Sequence, residues 1–222
     1  MKFFLGIALA VCMIASIILI FFIAPVEETM GIVQKIFYFH VAAAWVGFLA
    51  FFIVFIGSIF YLAKRSPKWD VLAHTSAGIG VLFTTLCLIA GSLWAKPAWG
   101  IWWSWDARLS STLVLWFIYV AYLIIRFETR RSERGATFGA VLGIIGFIDI
   151  PIVFMSVRWW RTVHCDLVVM QRGGLTPAML AALLVSVLTF SVLYALLLSI
   201  RFDIAMLKKE IVALKEKSQK GA

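Results

Sequence analysis

Apolar residues run along this chain in long unbroken blocks, at positions 3–24, 41–63, 71–93, 109–125, 136–155 and 177–200. Each block comes close to the roughly 20 residues that an α-helix needs to cross a hydrocarbon core of about 30 Å. In that medium every backbone N–H and C=O must find its partner inside the segment, which a helix achieves. No block alternates with the two-residue period of a transmembrane β-barrel strand. The pattern therefore predicts an all-α polytopic membrane protein, a bundle of six transmembrane helices. The first block is too long for the core of a signal peptide and has no small-residue cleavage site after it, so it reads as a retained helix.

Two shorter stretches carry a different pattern. Ile32, Ile36 and Phe39 recur at i, i+4 and i+7 with Val33 and Phe37 beside them, while Gln34 and Lys35 face away. That amphipathicity predicts a short helix lying in the membrane interface on the outer face. From Arg201 onward the chain is charged and helix-prone, with Leu207, Ile211 and Leu214 at helical spacing. This tail either prolongs the last helix or rests on lipid headgroups, with docking to a partner a further option. The expected organisation is one six-helix domain over 1–200 and a charged tail over 201–222.

Composition adds one exclusion and one orientation. With 64% hydrophobic and 14% charged residues, the chain has no room for a large soluble domain. Its net charge of +9 would suggest nucleic-acid affinity if it were spread over a soluble surface. Instead, fourteen of the lysines and arginines fall on the side of the two termini and six on the other. The positive-inside rule then places both termini in the cytoplasm. His40, the loop between spans three and four and the loop 156–176 share the outer face. The basicity is a topology signal, and no nucleic acid is expected as a partner; membrane lipid is. Cys12 and Cys87 lie in apolar runs and read as small core residues, while Cys165 stands in a loop beside His164. No C-x-x-C-H sequence is present, which argues against covalent haem attachment.

The candidate chemistry is concentrated in SLWAKPAWGIWWSWDARLSS, residues 92–111. Trp94, Trp99, Trp102, Trp103 and Trp105 fall within it, followed by Asp106 and Arg108. A membrane belt accounts for one or two tryptophans per helix end. Five suggest a flat aromatic platform, suited to a flat apolar ligand. Were the segment helical, Trp99, Trp102, Trp103 and Asp106 would share a face and Trp105 would point elsewhere. His40 and His164 flank this platform on the same side. A histidine at a helix end is ordinarily an interfacial polar residue, but imidazole is also a common axial ligand of haem iron. With only three histidines in the chain, two of them beside the densest tryptophan cluster, the ligand reading gains weight. His74, near the opposite end of span three, reads as an ordinary interfacial histidine. Asp106 caps a helix or holds Arg108. Arg108, Arg158, Arg161 and Lys96 are candidates for carboxylate pairing or for headgroup contacts. Asp149 is the only acid inside a span, and it is two residues from Pro151, so functional and structural hydrogen-bonding roles both stand.

At these residues the chain resembles a known family. WGIWWSWDARLSS (99–111) resembles the tryptophan-rich signature of the haem-handling proteins of cytochrome c maturation. FYFHVAAAW (37–45) and PIVFMSVRWWRTVH (151–164) resemble the flanking segments of the haem exporter protein C branch, CcmC. Ala42 departs from it, at a position where the family is expected to carry proline. The resemblance implies a protein of the bacterial inner membrane that holds haem b on the periplasmic side. It implies His40 and His164 as axial ligands and Trp99, Trp102, Trp103, Trp105 and Asp106 as the platform. It further implies delivery to the haem chaperone CcmE, alongside the CcmA–CcmB transporter and CcmD. The expected role is cargo handling without catalysis, since no hydrolase triad or nucleotide motif is present in the sequence. A b-type cytochrome subunit in electron transfer and a cofactor-free permease subunit are the alternatives.

Overall fold

In the computed structural model, residues 2–28, 30–129, 132–160, 162 and 174–220 are described. Each apolar block forms a helix: α1 over Lys2–Ile18 with a π-helical turn at Leu19–Ile23, α2 over Ile36–Lys64, α3 over Pro67–Trp99, α4 over Ala107–Glu128, α5 over Glu133–Trp159 and α6 over Pro177–Lys220. Six of these stretches are long and apolar enough to cross a membrane, as the block pattern predicts. Two prolines stand at helix starts, while Pro97 and Pro151 lie inside α3 and α5. Pro67 and Pro177 open α3 and α6, where no intrahelical N–H is needed.

Small residues let α2 and α3 approach closely. A methyl group on Gly80 would lie 2.5 Å from a ring carbon of Phe51, and one on Gly57 would lie 3.2 Å from Ala73. Between membrane helices there is little hydrophobic drive to associate, so close van der Waals contact of this kind is what holds them. Phe51 stacks on Tyr119 of α4 at 3.7 Å, and Tyr119 donates a hydrogen bond to the Gly143 carbonyl of α5 at 3.1 Å. Together α2, α3, α4 and α5 bury the central core of Phe51, Val54, Ala77, Leu115, Tyr119 and Val153. α6 packs outside α2 and α3, and α1 outside α6, where the Ser16 and Ser186 hydroxyls meet at 3.0 Å.

Two departures from the sequence expectations have local causes. The amphipathic piece does not lie apart in the interface: Ile32–Lys35 is a 3-10 turn that runs directly into α2. Gln34 and Lys35 are buried, not turned to water. The Lys35 ammonium donates to the Phe21 carbonyl at 3.1 Å, satisfying one of the acceptors left over at the end of the first span. α3 also continues well past residue 93, so half of the expected tryptophan loop is helical. The tail prolongs α6 as one continuous helix, one of the options its sequence leaves open.

At the end of the bundle opposite His40, Arg126 of α4 places one nitrogen 2.6 and 2.8 Å from the two oxygens of Asp70 on α3. Both side chains are buried, and Lys209 of α6 reaches the same carboxylate at 3.3 Å. His74 lies one turn along from Asp70, its ring facing Tyr122 at 6.4 Å. The two remaining Arg126 nitrogens, Nε and Nη1, have no hydrogen-bond partner among the described residues.

Candidate functional site

His40 stands one turn into α2, on the side that faces α3. Its Nδ1 lies 3.0 Å from the backbone carbonyl oxygen of Cys87. A carbonyl can only accept, so Nδ1 carries the proton and the lone pair is on Nε2. The same second contact fixes the tautomer of metal-binding histidines generally. The Cys87 sulfur is 3.7 Å from the same nitrogen. The imidazole can come this close because residue 91 has no side chain: a Cβ there would sit 3.0 Å from Cε1 and 3.3 Å from Nδ1. Trp94, one turn further along α3, meets the imidazole edge to face at 6.0 Å, and Phe37 meets Trp94 at 5.8 Å. The ring is therefore held by a hydrogen bond on one edge and by indole on its flank. Gly91→Ala is expected to displace the His40 ring by a few tenths of an ångström without unfolding the chain. Bound-ligand spectra should shift while the thermal transition stays near that of the parent protein.

A cavity of about 90 Å³ opens beside this ring. His40, Trp94, Trp99, Trp103 and Arg108 line it, with Phe48, Leu88 and Val153 at its apolar base. Pockets that engulf a whole cofactor-sized ligand run to about 300–1,000 Å³. The space bounded by the described residues admits the edge of a flat ligand, not its whole body. The indole N–H groups of Trp94 and Trp103 are buried without a hydrogen-bond partner among the described residues. Leaving such donors unsatisfied costs about 1–3 kcal/mol each. The cavity is thus lined by an imidazole, three indoles and a guanidinium, with two indole N–H groups unmatched among the described residues.

The tryptophans divide differently from a single helical face. α3 stops at Trp99 because Gly100 turns into the left-handed region, at φ 77°, which a residue with a Cβ resists. Its N–H closes the helix on the Lys96 carbonyl at 2.9 Å, and the Lys96 ammonium returns to the Gly100 carbonyl at 2.9 Å. Residues 101–106 are not helical. Trp99 and Trp103 consequently line the cavity, joined by Trp94, whereas Trp102 and Trp105 turn outward with 56% and 78% of their surface exposed. Trp105 still touches Trp103 edge to face at 5.6 Å, and Trp102 lies under the Lys96 ammonium at 6.0 Å. Outward indoles at a helix boundary suit the membrane interface. Arg158, Trp159 and Trp160 at the end of α5 are exposed as well.

Asp106 is the cap of α4, and it does more than cap. Its Oδ1 accepts the Leu109 N–H at 2.9 Å, while Oδ2 accepts the Ser104 hydroxyl at 3.1 Å and the Thr162 hydroxyl at 2.7 Å. Thr162 follows α5 directly, so this carboxylate ties the tryptophan segment to the start of the loop between α5 and α6. His164, Arg161 and Cys165 lie outside the described residues. Asp106→Ala is expected to lower stability by about 1 kcal/mol through loss of the cap. Asp106→Asn, which keeps one acceptor for the Leu109 N–H and turns the other position into an amide donor toward the Ser104 and Thr162 hydroxyls, should cost less; thermal unfolding in detergent distinguishes them. Sequence reasoning did not single out Cys87 and Gly91. Neither carries a chemical signal, because one contributes its backbone and the other its lack of a side chain.

Comparison with known proteins converges on one family. A family described as heme exporter protein C matches residues 1–217. Over 192 residues the chain is 37% identical to the heme exporter protein C of Bradyrhizobium diazoefficiens, covering 86% of this chain and 71% of that one. Against the protein of the same name from Escherichia coli K12 the identity is 38% over 184 residues, 80% of this chain and 72% of the other. For Haemophilus influenzae the figures are 30% over 189 residues, 84% and 77%.

Proposed function

Since the chain belongs to the haem exporter protein C family, CcmC, whose profile spans nearly all of it, we propose that it holds haem b at the outer face of the bacterial inner membrane and hands it to the chaperone CcmE. The observation that carries this reading is the His40 imidazole, fixed in the tautomer that leaves Nε2 as a ligand, at the wall of a tryptophan-lined cavity. Haem iron takes an imidazole nitrogen on each side of the ring. His40 supplies one, and His164, two residues beyond the Asp106-bound Thr162, supplies the other. Trp94, Trp99 and Trp103 pack against the macrocycle, and the N–H groups of Trp94 and Trp103 find acceptors at its rim. Arg108 pairs with a propionate, for which its guanidinium geometry is suited. Trp102 and Trp105, on the outside of the segment, meet lipid or the receiving chaperone.

The residues act by binding and orienting; the role is not a catalytic one, and energy comes from partners, CcmA–CcmB with CcmD. Both termini face the cytoplasm, on the distribution of basic residues. The six-helix unit over 1–200 carries the haem site, and 201–222 is its cytoplasmic extension.

The test is a spectrum of the protein purified in detergent, oxidised and reduced, followed by mixing with the unloaded chaperone. A Soret band of six-coordinate low-spin haem that passes to CcmE is expected. No Soret band after haem addition would overturn the proposal in favour of a cofactor-free subunit. Haem reduced rapidly by quinol and retained would overturn it in favour of an electron-transfer subunit.

A further inference from the structure

α6 is 44 residues long, and at about 1.5 Å per residue that is about twice the thickness of a hydrocarbon core. Its last five turns must therefore leave the membrane. They are held by α3 through Lys209 and by α1 through Asp203. Lys209 reaches Asp70 of α3, and Phe202, Ala205 and Met206 are partly covered by the bundle. Leu207 and Ile211 lie about 200° of helical rotation to either side of Lys209, so they face the opposite way. Ile204, Leu207, Ile211 and Leu214 form one stripe on that far face, with 46%, 57%, 51% and 60% of their surface exposed. Among the described residues nothing buries this stripe.

The geometry points to a second copy of this chain as the occupant, through a short parallel two-stranded coiled coil. The apolar positions follow the three-four spacing of a heptad, with Ile204 and Ile211 at a and Leu207 and Leu214 at d. β-branched isoleucine at a with leucine at d is the combination that favours two parallel strands. Two copies crossing the same membrane in the same sense are parallel by construction. The flanking charges match that register. In a parallel pair, position g of one strand meets position e of the next heptad on the other. Here that pairs Glu210 with Lys215 and Asp203 with Lys208 of the second copy, opposite charges in both cases. Asp203 already holds Lys2 of its own chain, so the Glu210–Lys215 pair carries the specificity. Two heptads are too few to associate from dilute solution. Anchoring in one bilayer raises the effective concentration of each strand for the other.

The full-length protein in membranes tests this by cysteine cross-linking. Leu207→Cys and Leu214→Cys place thiols on the seam, where facing β-carbons come within disulfide reach. Val212→Cys places one on the same turns but off it. Oxidation should link the two seam variants into dimers several-fold faster than the Val212 variant or the parent chain with its three native cysteines. Glu210→Lys in the Leu214→Cys background should slow the linking, and adding Lys215→Glu should restore it. Equal linking at 207, 212 and 214, linking to a different polypeptide, or no dependence on the charge reversal would each overturn the proposal. Haem content, read alongside, reports whether each variant is folded.

Discussion

Replacing His40 with alanine is expected to remove most of the haem absorbance of the purified protein, weakening binding about tenfold or more, which is ~1.4 kcal/mol or more. The loss should be specific in kind as well as size. With the imidazole gone and the space beside Trp94 empty, the remaining haem would be five-coordinate and high-spin. His164→Ala should give the same spectroscopic change from the other side of the ring. Thermal transitions ought to move little in either case, because His40 is only half-buried and packs against Gly91 and Trp94, outside the central core. Unchanged haem content and transfer in both variants would remove the ligand assignment. High-spin haem in one and unaltered haem in the other would leave a single protein ligand.

The second large effect lies at the other end of the molecule and concerns stability. Asp70 and Arg126 are both buried, and Lys209 leans on the same carboxylate. Asp70→Ala should destabilise the protein by about 3–5 kcal/mol, since it strands a guanidinium that already has two nitrogens without partners among the described residues. Replacing both partners with apolar residues of similar volume, Asp70→Leu with Arg126→Met, should be far milder than the single change. Melting of the purified protein in detergent measures this. A double variant as unstable as the single one would show that the pair contributes more than charge cancellation. Because Lys209 roots the projecting part of α6, the single variant should also loosen the tail's cross-linking pattern.

The helices were legible in the sequence because the membrane leaves a chain little alternative. An apolar block of sufficient length has one economical way to satisfy its backbone, and all six blocks take it. Where polar side chains seek partners elsewhere in the chain, the pattern misleads. Gln34 and Lys35 look like the wet face of an interfacial helix, yet the Phe21 carbonyl draws Lys35 inward. Asp70 and Arg126 stand 56 positions apart, and nothing local announces their pairing. The placement of the candidate site was only partly legible. His40, Trp99, Trp103 and Arg108 come together around one cavity. The proposed helical face failed at Gly100, where a left-handed residue ends α3 and sends Trp102 and Trp105 outward. Trp94 belongs to the cavity because α3 runs further than the apolar block does. Gly91 is invisible to any reading that looks for functional groups.

The Asp106 carboxylate assigns its two oxygens to separate tasks, one to the amide that begins α4 and the other to the hydroxyls of Ser104 and Thr162. Breaking the link to Thr162 therefore leaves the first turn of α4 intact. Strain applied at Thr162 is thus not carried into the start of α4, and the tryptophan segment keeps its anchor there.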